Sequence, residues 1–318
     1  MYYHRIQSAF AESTKNNFKY QVTEFVNFCL AHMLPIFPPS PMNVARYLTS
    51  CSIKVTAYGT IMNKLSSVKK FYQLTGHILD VSSPIIDLLT RACKRDMSSS
   101  SKPKAPLEPG HLILINHMID PSDVNHRLFQ CALLIQFFTC IRKSNLLPPS
   151  IRGFSVKRQL TRGDIHLLPT SLLLTFPWTK TLQNSEDIFT LSIAQVPDSI
   201  LDPVSLYKTF VRDFPLPANM PAFSLQNGTK LLVLTQQNYI DMLKHFLTRL
   251  GLPAESYSSH SVRRSGTTTL WQSGASQELI KAHGGWKSGC YERYIAVGQK
   301  HKLIPTTKML HHINNMYK

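Results

Sequence analysis

Five short segments in the second part of the chain carry side chains suited to work on a phosphate. A strongly apolar run, Leu128 to Phe138, ends in Thr139-Cys140-Ile141-Arg142, and apolar residues resume at Leu146-Leu147. Arg142 is therefore expected to be partly buried, and a buried guanidinium needs an anion, whether a ligand phosphate, a carboxylate or a helix end. Lys180 follows Phe176-Pro177-Trp178-Thr179 at the end of a strand-like run. On a hairpin tip it would reach a phosphate or a groove, or else stand in solvent. His260 and Arg263 lie three apart at the start of a helical pattern and share a face. Histidine moves protons near neutral pH, and arginine binds phosphate oxygens in a bidentate fork. A plain capping role for His260 is the competing reading. In His283-Gly284-Gly285-Trp286-Lys287-Ser288, the paired glycines mark a tight turn with close backbone approach. Tyr291 and Tyr294 follow on a short helix, one turn apart, each available for packing or for nucleophilic attack.

The order of these groups is more specific than any one of them. An Arg, a strand-borne Lys, H-x-x-R, G-G-W-K-S and a Tyr resemble the catalytic domain of tyrosine recombinases of the phage-integrase type. The G-x-W-x-S variant, with a tyrosine six residues on, is most similar to members encoded by eukaryotic mobile elements such as cryptons and DIRS-like retroelements. The resemblance spans nearly the whole chain. It implies a helical core-binding domain and an α+β catalytic domain closing as a C-shaped clamp on double-stranded DNA, and a 3′-phosphotyrosine intermediate formed without nucleotide cofactor or metal. By matching position, Arg142 and Arg263 would clamp the non-bridging phosphate oxygens and stabilise the pentavalent transition state. Lys180 would protonate the leaving 5′-oxygen, and His260 would assist proton transfer. Trp286 stands where the family has His or Trp. With one N–H donor and no acceptor it can hold a phosphate but cannot act as a base. The register favours Tyr294 over Tyr291 as nucleophile. Many members carry an acid where this chain has Asn145. His283 is read as secondary, and Lys143, Arg264 and Lys287, beside matched positions, are candidate phosphate contacts or simply solvated charges.

The elements that must position these groups are legible from periodicity. Residues 1–97 read as a helical module, with Phe18, Val22, Phe25, Val26 and Cys29 on one face and Ser13 or Thr14 as cap. A second helix opens at Ser40-Pro41, a third carries Ile61, Leu65, Val68, Phe71 and Tyr72, and a fourth runs from Pro84 to Cys93. Residues 98–106, serine-rich with Lys102, Pro103, Lys104 and Pro106, read as an extended linker whose lysines are solvated or lie along a phosphate backbone. In residues 107–318, helices are expected at Pro109–Met118 and Leu128–Phe138. The period then shortens over Gly163–Leu168, Ser171–Pro177 and Ile188–Ile193, which predicts a small antiparallel sheet. Helical patterns return at Pro203–Phe210, Gln237–Leu250, Ser261–Ser273, Gln277–Ala282 and Gly289–Ala296. The fold class expected is mostly α with a small antiparallel β-sheet.

Composition agrees with an anionic partner. The 318 residues include 35 Lys and Arg against 18 Asp and Glu, a formal net charge of +17 spread along the chain. Scattered cations suit a long polyanion better than an anionic membrane, which a compact polybasic block would favour. There is no apolar run long enough to span a bilayer, and the first residues, Met1-Tyr2-Tyr3-His4-Arg5, carry no signal-like apolar core. The six cysteines lack disulfide or zinc spacing and read as reduced core residues. Residues 298–318, with Leu303, Ile304, Met309, Leu310 and Ile313, are expected to contact a neighbouring subunit or their own domain. A nuclear or chromosomal location follows only from the implied substrate. Competing readings are a type IB topoisomerase, a recombinase-derived DNA-binding protein without catalysis, and a basic membrane-surface protein.

Overall fold

The structure, a computed structural model, describes residues 12–55, 57–97, 104–178, 188–296 and 299–316. The chain divides into two compact units, Met1–Pro103 and Lys104–Lys318.

The first unit is helical: α1 (Glu12–Ala31), α2 (Pro41–Lys54), α3 (Tyr58–Leu74) and α4 (Pro84–Asp96). Ser40 caps α2 as expected, accepting from the Asn43 N–H at 3.3 Å with Pro41 at the first helical position. The expected cap at Ser13 or Thr14 is a correction. The helix already includes Glu12, so both residues lie inside its first turn. Phe25 and Cys29 of α1 meet Val44, Tyr47 and Leu48 of α2 and Ile61, Val68 and Tyr72 of α3 in one apolar core. Each such side chain contributes roughly 1.5–3 kcal/mol by leaving water. Within that core, Lys64 is buried and forms an ion pair with Glu24.

The second unit opens on α5 (Pro109–Met118) and the buried α6 (Val124–Thr139), capped by Asp123, whose carboxylate accepts from the Asn125 and His126 N–H groups. A four-residue helix α7 (Lys143–Leu146) follows. Strands β1 (Ile165–Leu168), β2 (Ser171–Phe176) and β3 (Phe189–Ala194) form the antiparallel sheet in sequence order, pairing Ile165 with Leu174 and Leu174 with Leu191. Helix α8 (Pro203–Asp213) leads to a second hairpin, β4 (Ser224–Asn227) and β5 (Lys230–Val233), which was not expected. Its signal was Gly228-Thr229, the two residues between the paired Asn227 and Lys230, and Gly228 adopts φ +59°, the positive φ that a two-residue hairpin turn takes at its first central position. Helices α9 (Gln236–Arg249), α10 (Ser259–Gln272), α11 (Gln277–Gly284) and α12 (Gln299–Met316) complete the unit. Between α11 and α12, Gly289–Tyr294 is a 3-10 helix rather than the expected α-helix.

Lys104 and Ala105, read with the linker, are bonded into the second unit. The Ala105 N–H donates to the Ser256 carbonyl at 2.9 Å, and the Lys104 ammonium donates to the Glu255 carbonyl at 2.6 Å. Among the described residues, no helix is long and apolar enough to cross a membrane.

Candidate active site

The site begins where α6 ends. Cys140 takes a left-handed conformation, φ 53°, which stops the helix and sends Ile141 and Arg142 out in an extended stretch. Such a conformation is uncommon for a residue with a β-carbon, and it persists here because Cys140 is sealed in the core at 1% exposure. Arg142 is half-buried. One buried side chain, missed from the sequence, ties this stretch to the next element. Gln136 donates through Nε2 to the Ile141 carbonyl (3.1 Å) and the Ser259 carbonyl (3.4 Å), and its Oε1 accepts from the Tyr239 hydroxyl (2.6 Å). The residue before Arg142 and the residue before His260 thus hang on one amide.

Helix α10 crosses α6 at a glycine. A β-carbon on Gly266 would fall 2.1 Å from the Phe137 carbonyl oxygen, so only glycine permits this approach. The approach sinks Arg263, 1% exposed, into the protein close to Arg142. The Arg263 guanidinium donates from Nη2 to the Gly284 carbonyl at 3.2 Å and lies 4.2 Å from the centre of a Trp286 ring and 5.1 Å from the Tyr294 ring. Its Nε is buried without a hydrogen-bond partner among the described residues. Burial, and then the charge of Arg142, push its pKa down to about 10. A buried guanidinium with an unused donor, near enough to Arg142 to feel its charge, is suited to a phosphate oxygen.

Gly284 and Gly285 do different work. A β-carbon on Gly284 would fall 1.5 Å from the Trp286 ring, so the first glycine makes room for the indole. Gly285, φ +64°, turns the chain at the end of α11. Trp286 is 5% exposed, and its Nε1 also lacks a partner among the described residues. His283 presents Nε2 to the Phe138 carbonyl at 2.6 Å, which requires the proton on that nitrogen and ties α11 to α6.

The two tyrosines separate cleanly. Tyr291 is 2% exposed, packed with Ile280, Trp286 and Cys140, and burial pushes its phenol pKa up. Tyr294 is half-buried, its ring 5.6 Å from Trp286 and 6.4 Å from the exposed His260. His260, Arg263, Trp286 and Tyr294 are therefore brought together, with Arg142 alongside.

Lys180 and Lys102 lie outside the described residues. Asn145, 2% exposed, donates through Nδ2 to the Trp178 carbonyl at 2.7 Å just beyond β2. Lys143 is half-buried, which lowers its ammonium pKa. Arg264 donates to the Lys104 carbonyl at 3.3 Å, and Lys287 is exposed.

No protein-family model matches the sequence, and no curated protein matches it. Solved structures do. The Tn1549 transposon integrase in complex with transposon right end DNA is 15% identical, with a TM-score of 0.64 over 96% of both chains. The XerH site-specific recombinase, bound to palindromic difH substrate in a post-cleavage complex, is 14% identical with a TM-score of 0.62, over 92% of this chain and 78% of its own. A lambda integrase dimer bound to a COC′ core site is 12% identical with a TM-score of 0.55, over 92% of this chain and 75% of its own. At such identities the likeness is one of fold, and the fold this chain shares, mostly helical with a small antiparallel sheet, is that of tyrosine recombinases.

Proposed function

We propose that the chain is a site-specific DNA recombinase that cleaves and rejoins strands through a covalent 3′-phosphotyrosine, in the service of a mobile element of the crypton or DIRS-like kind. The observation that carries the reading is the buried Arg263 guanidinium, 4.2 Å from the Trp286 ring and 5.1 Å from the Tyr294 ring, with a donor unspent. The DNA-bound tyrosine recombinases of the same fold support it.

Tyr294 Oη attacks the scissile phosphorus, and the bond to the 5′-oxygen breaks. Arg142 and Arg263 hold the non-bridging oxygens, where charge accumulates in the transition state. Trp286 Nε1 donates to one of them. His260 takes the phenol proton, and Lys180 gives a proton to the departing 5′-oxygen. Attack by a second 5′-hydroxyl on the phosphotyrosine reverses these steps and releases the enzyme. Lys102, Lys104, Lys143, Arg264 and Lys287 are assigned to backbone phosphates. Protomers pair on a site and tetramerise in synapsis through α12, whose Leu303, Met309, Leu310 and Met316 are each 60–62% exposed. In a eukaryotic host the place of action is the nucleus.

The test is covalent trapping. A pool of nicked DNA duplexes, randomised around the nick, is incubated with wild type, Tyr294→Phe and Tyr291→Phe. The expected result is an SDS-stable protein–DNA adduct that persists in Tyr291→Phe and disappears in Tyr294→Phe. An adduct that follows Tyr291 would overturn the nucleophile assignment.

A further inference from the structure

A 3-10 turn has poorer hydrogen-bond geometry than an α-helix, so the position of Tyr294 depends on what holds each end of Gly289–Tyr294. At the upstream side Tyr291 is sunk in the apolar cluster with Ile280 and Trp286. At the downstream side the fastening is polar. The Thr268 hydroxyl donates to the Tyr294 carbonyl at 3.1 Å and accepts from the Ala296 N–H at 3.0 Å. A hydroxyl has one proton and two lone pairs, so a single threonine does both.

Thr268 belongs to Thr267-Thr268-Thr269 in α10, and its neighbour behaves differently. Thr267 turns its hydroxyl back to the Arg263 carbonyl of its own helix at 2.8 Å. Thr268, 7% exposed, bonds out of the helix to the segment that carries the tyrosine. It lies on the same rigid helix as His260 and Arg263. Any displacement of the Tyr294 backbone from that helix would change the distance between phenol and guanidinium.

We propose that Thr268 is a positioning residue for Tyr294, pinning the backbone on both sides of Ile295 to the helix that supplies the phosphate clamp. The role rests on Tyr294 being the nucleophile. It does not require Thr268 to touch the DNA.

Thr268→Val keeps the shape and removes both bonds, and Thr268→Ser keeps the hydroxyl. Adduct formation is followed in single turnover on the randomised nicked-duplex pool at rising DNA concentration, which separates the saturating rate from affinity. Amide hydrogen exchange at Ala296 is read on the free protein. For Thr268→Val we expect a saturating rate lower by on the order of 10- to 100-fold. DNA affinity should stay within about twofold, since no phosphate contact is lost, and Ala296 should exchange faster. Thr268→Ser should recover most of the rate. Wild-type rate in Thr268→Val overturns the proposal, as does a loss appearing wholly in affinity or one that Thr268→Ser fails to rescue. If wild type forms no adduct, or the adduct survives Tyr294→Phe, the nucleophile assignment itself falls and the role of Thr268 with it.

Discussion

Arg263 and Trp286 lie with guanidinium over indole at 4.2 Å, and among the described residues no carboxylate pairs with that buried cation. The arginine is held by a π face, one backbone carbonyl and little else, with Arg142 repelling it. A site of this kind is unfavourable when empty and is relieved when an anion enters. Arg263→Met, which keeps an apolar stem on the indole without the charge, should therefore raise the melting temperature of the free protein while abolishing adduct formation. A lower melting temperature would show that the stack outweighs the burial. The pH sign follows from a folded pKa of about 10, lowered from that of the free group. Because the folded value is the lower one, the cost is constant at neutral pH. It is relieved only as pH rises through the folded value toward the free one, so the advantage of Arg263→Met should not vary between pH 6 and 8.

Tyr291 and Tyr294 should respond to substitution in opposite ways. Tyr291→Ala removes a side chain that is 2% exposed and should cost about 3–5 kcal/mol in urea unfolding, the range for a large buried aromatic. Tyr294→Phe should leave the unfolding midpoint within error of wild type and remove only the chemistry.

Asn145 stands where many tyrosine recombinases are expected to carry an acid, yet here the group it faces is a carbonyl, that of Trp178. A carboxylate cannot donate to it. Asn145→Asp should destabilise by about 1–3 kcal/mol. The new carboxyl would have a raised pKa in the folded state. Its deficit should therefore be full at high pH and shrink as pH falls through that value, when the protonated acid can donate. Thermal melts of the variant against wild type across pH 5 to 8 would show the gap narrowing, and a gap that widens on acidification would refute the account.

Gln136 and Tyr239 form a coupled pair. Gln136→Leu strands the Tyr239 hydroxyl, in a residue 0% exposed, and the Ile141 carbonyl ahead of Arg142. Each orphaned group costs about 1–3 kcal/mol. Adding Tyr239→Phe removes one of them, so the double variant should be more stable than Gln136→Leu alone. Simple addition of the two losses in equilibrium unfolding would disprove the coupling.

Much of this architecture was legible because local rules act locally. Ser40-Pro41 announces a helix start, the strand-length runs from Ser171 and Ile188 announce the sheet, and the helix and the strands stand there to within a residue. The second hairpin, turning at Gly228-Thr229, obeys a local rule too. The 3-10 geometry of Gly289–Tyr294 was not legible, since its Tyr291 packs in a cluster with Cys140, a residue distant in the chain. Gln136 and Thr268 were invisible for a stronger reason. One amide and one hydroxyl gain meaning only from the carbonyls that other segments present to them.

By itself the sequence determined which chemical groups exist and in what order: two arginines, a histidine between them, a tryptophan after paired glycines, and two candidate tyrosines. It determined the helical and strand periods as well, because those depend on side chains a few residues apart. Only the tertiary structure decided how differently Tyr291 and Tyr294 are placed. Identical phenols one turn apart differ in that Tyr291 is sealed against Ile280 and Trp286, whereas Tyr294 is half-buried beside Arg263. That difference arises from the crossing of α10 over α6 at Gly266, a contact between segments more than a hundred residues apart, which no local pattern encodes.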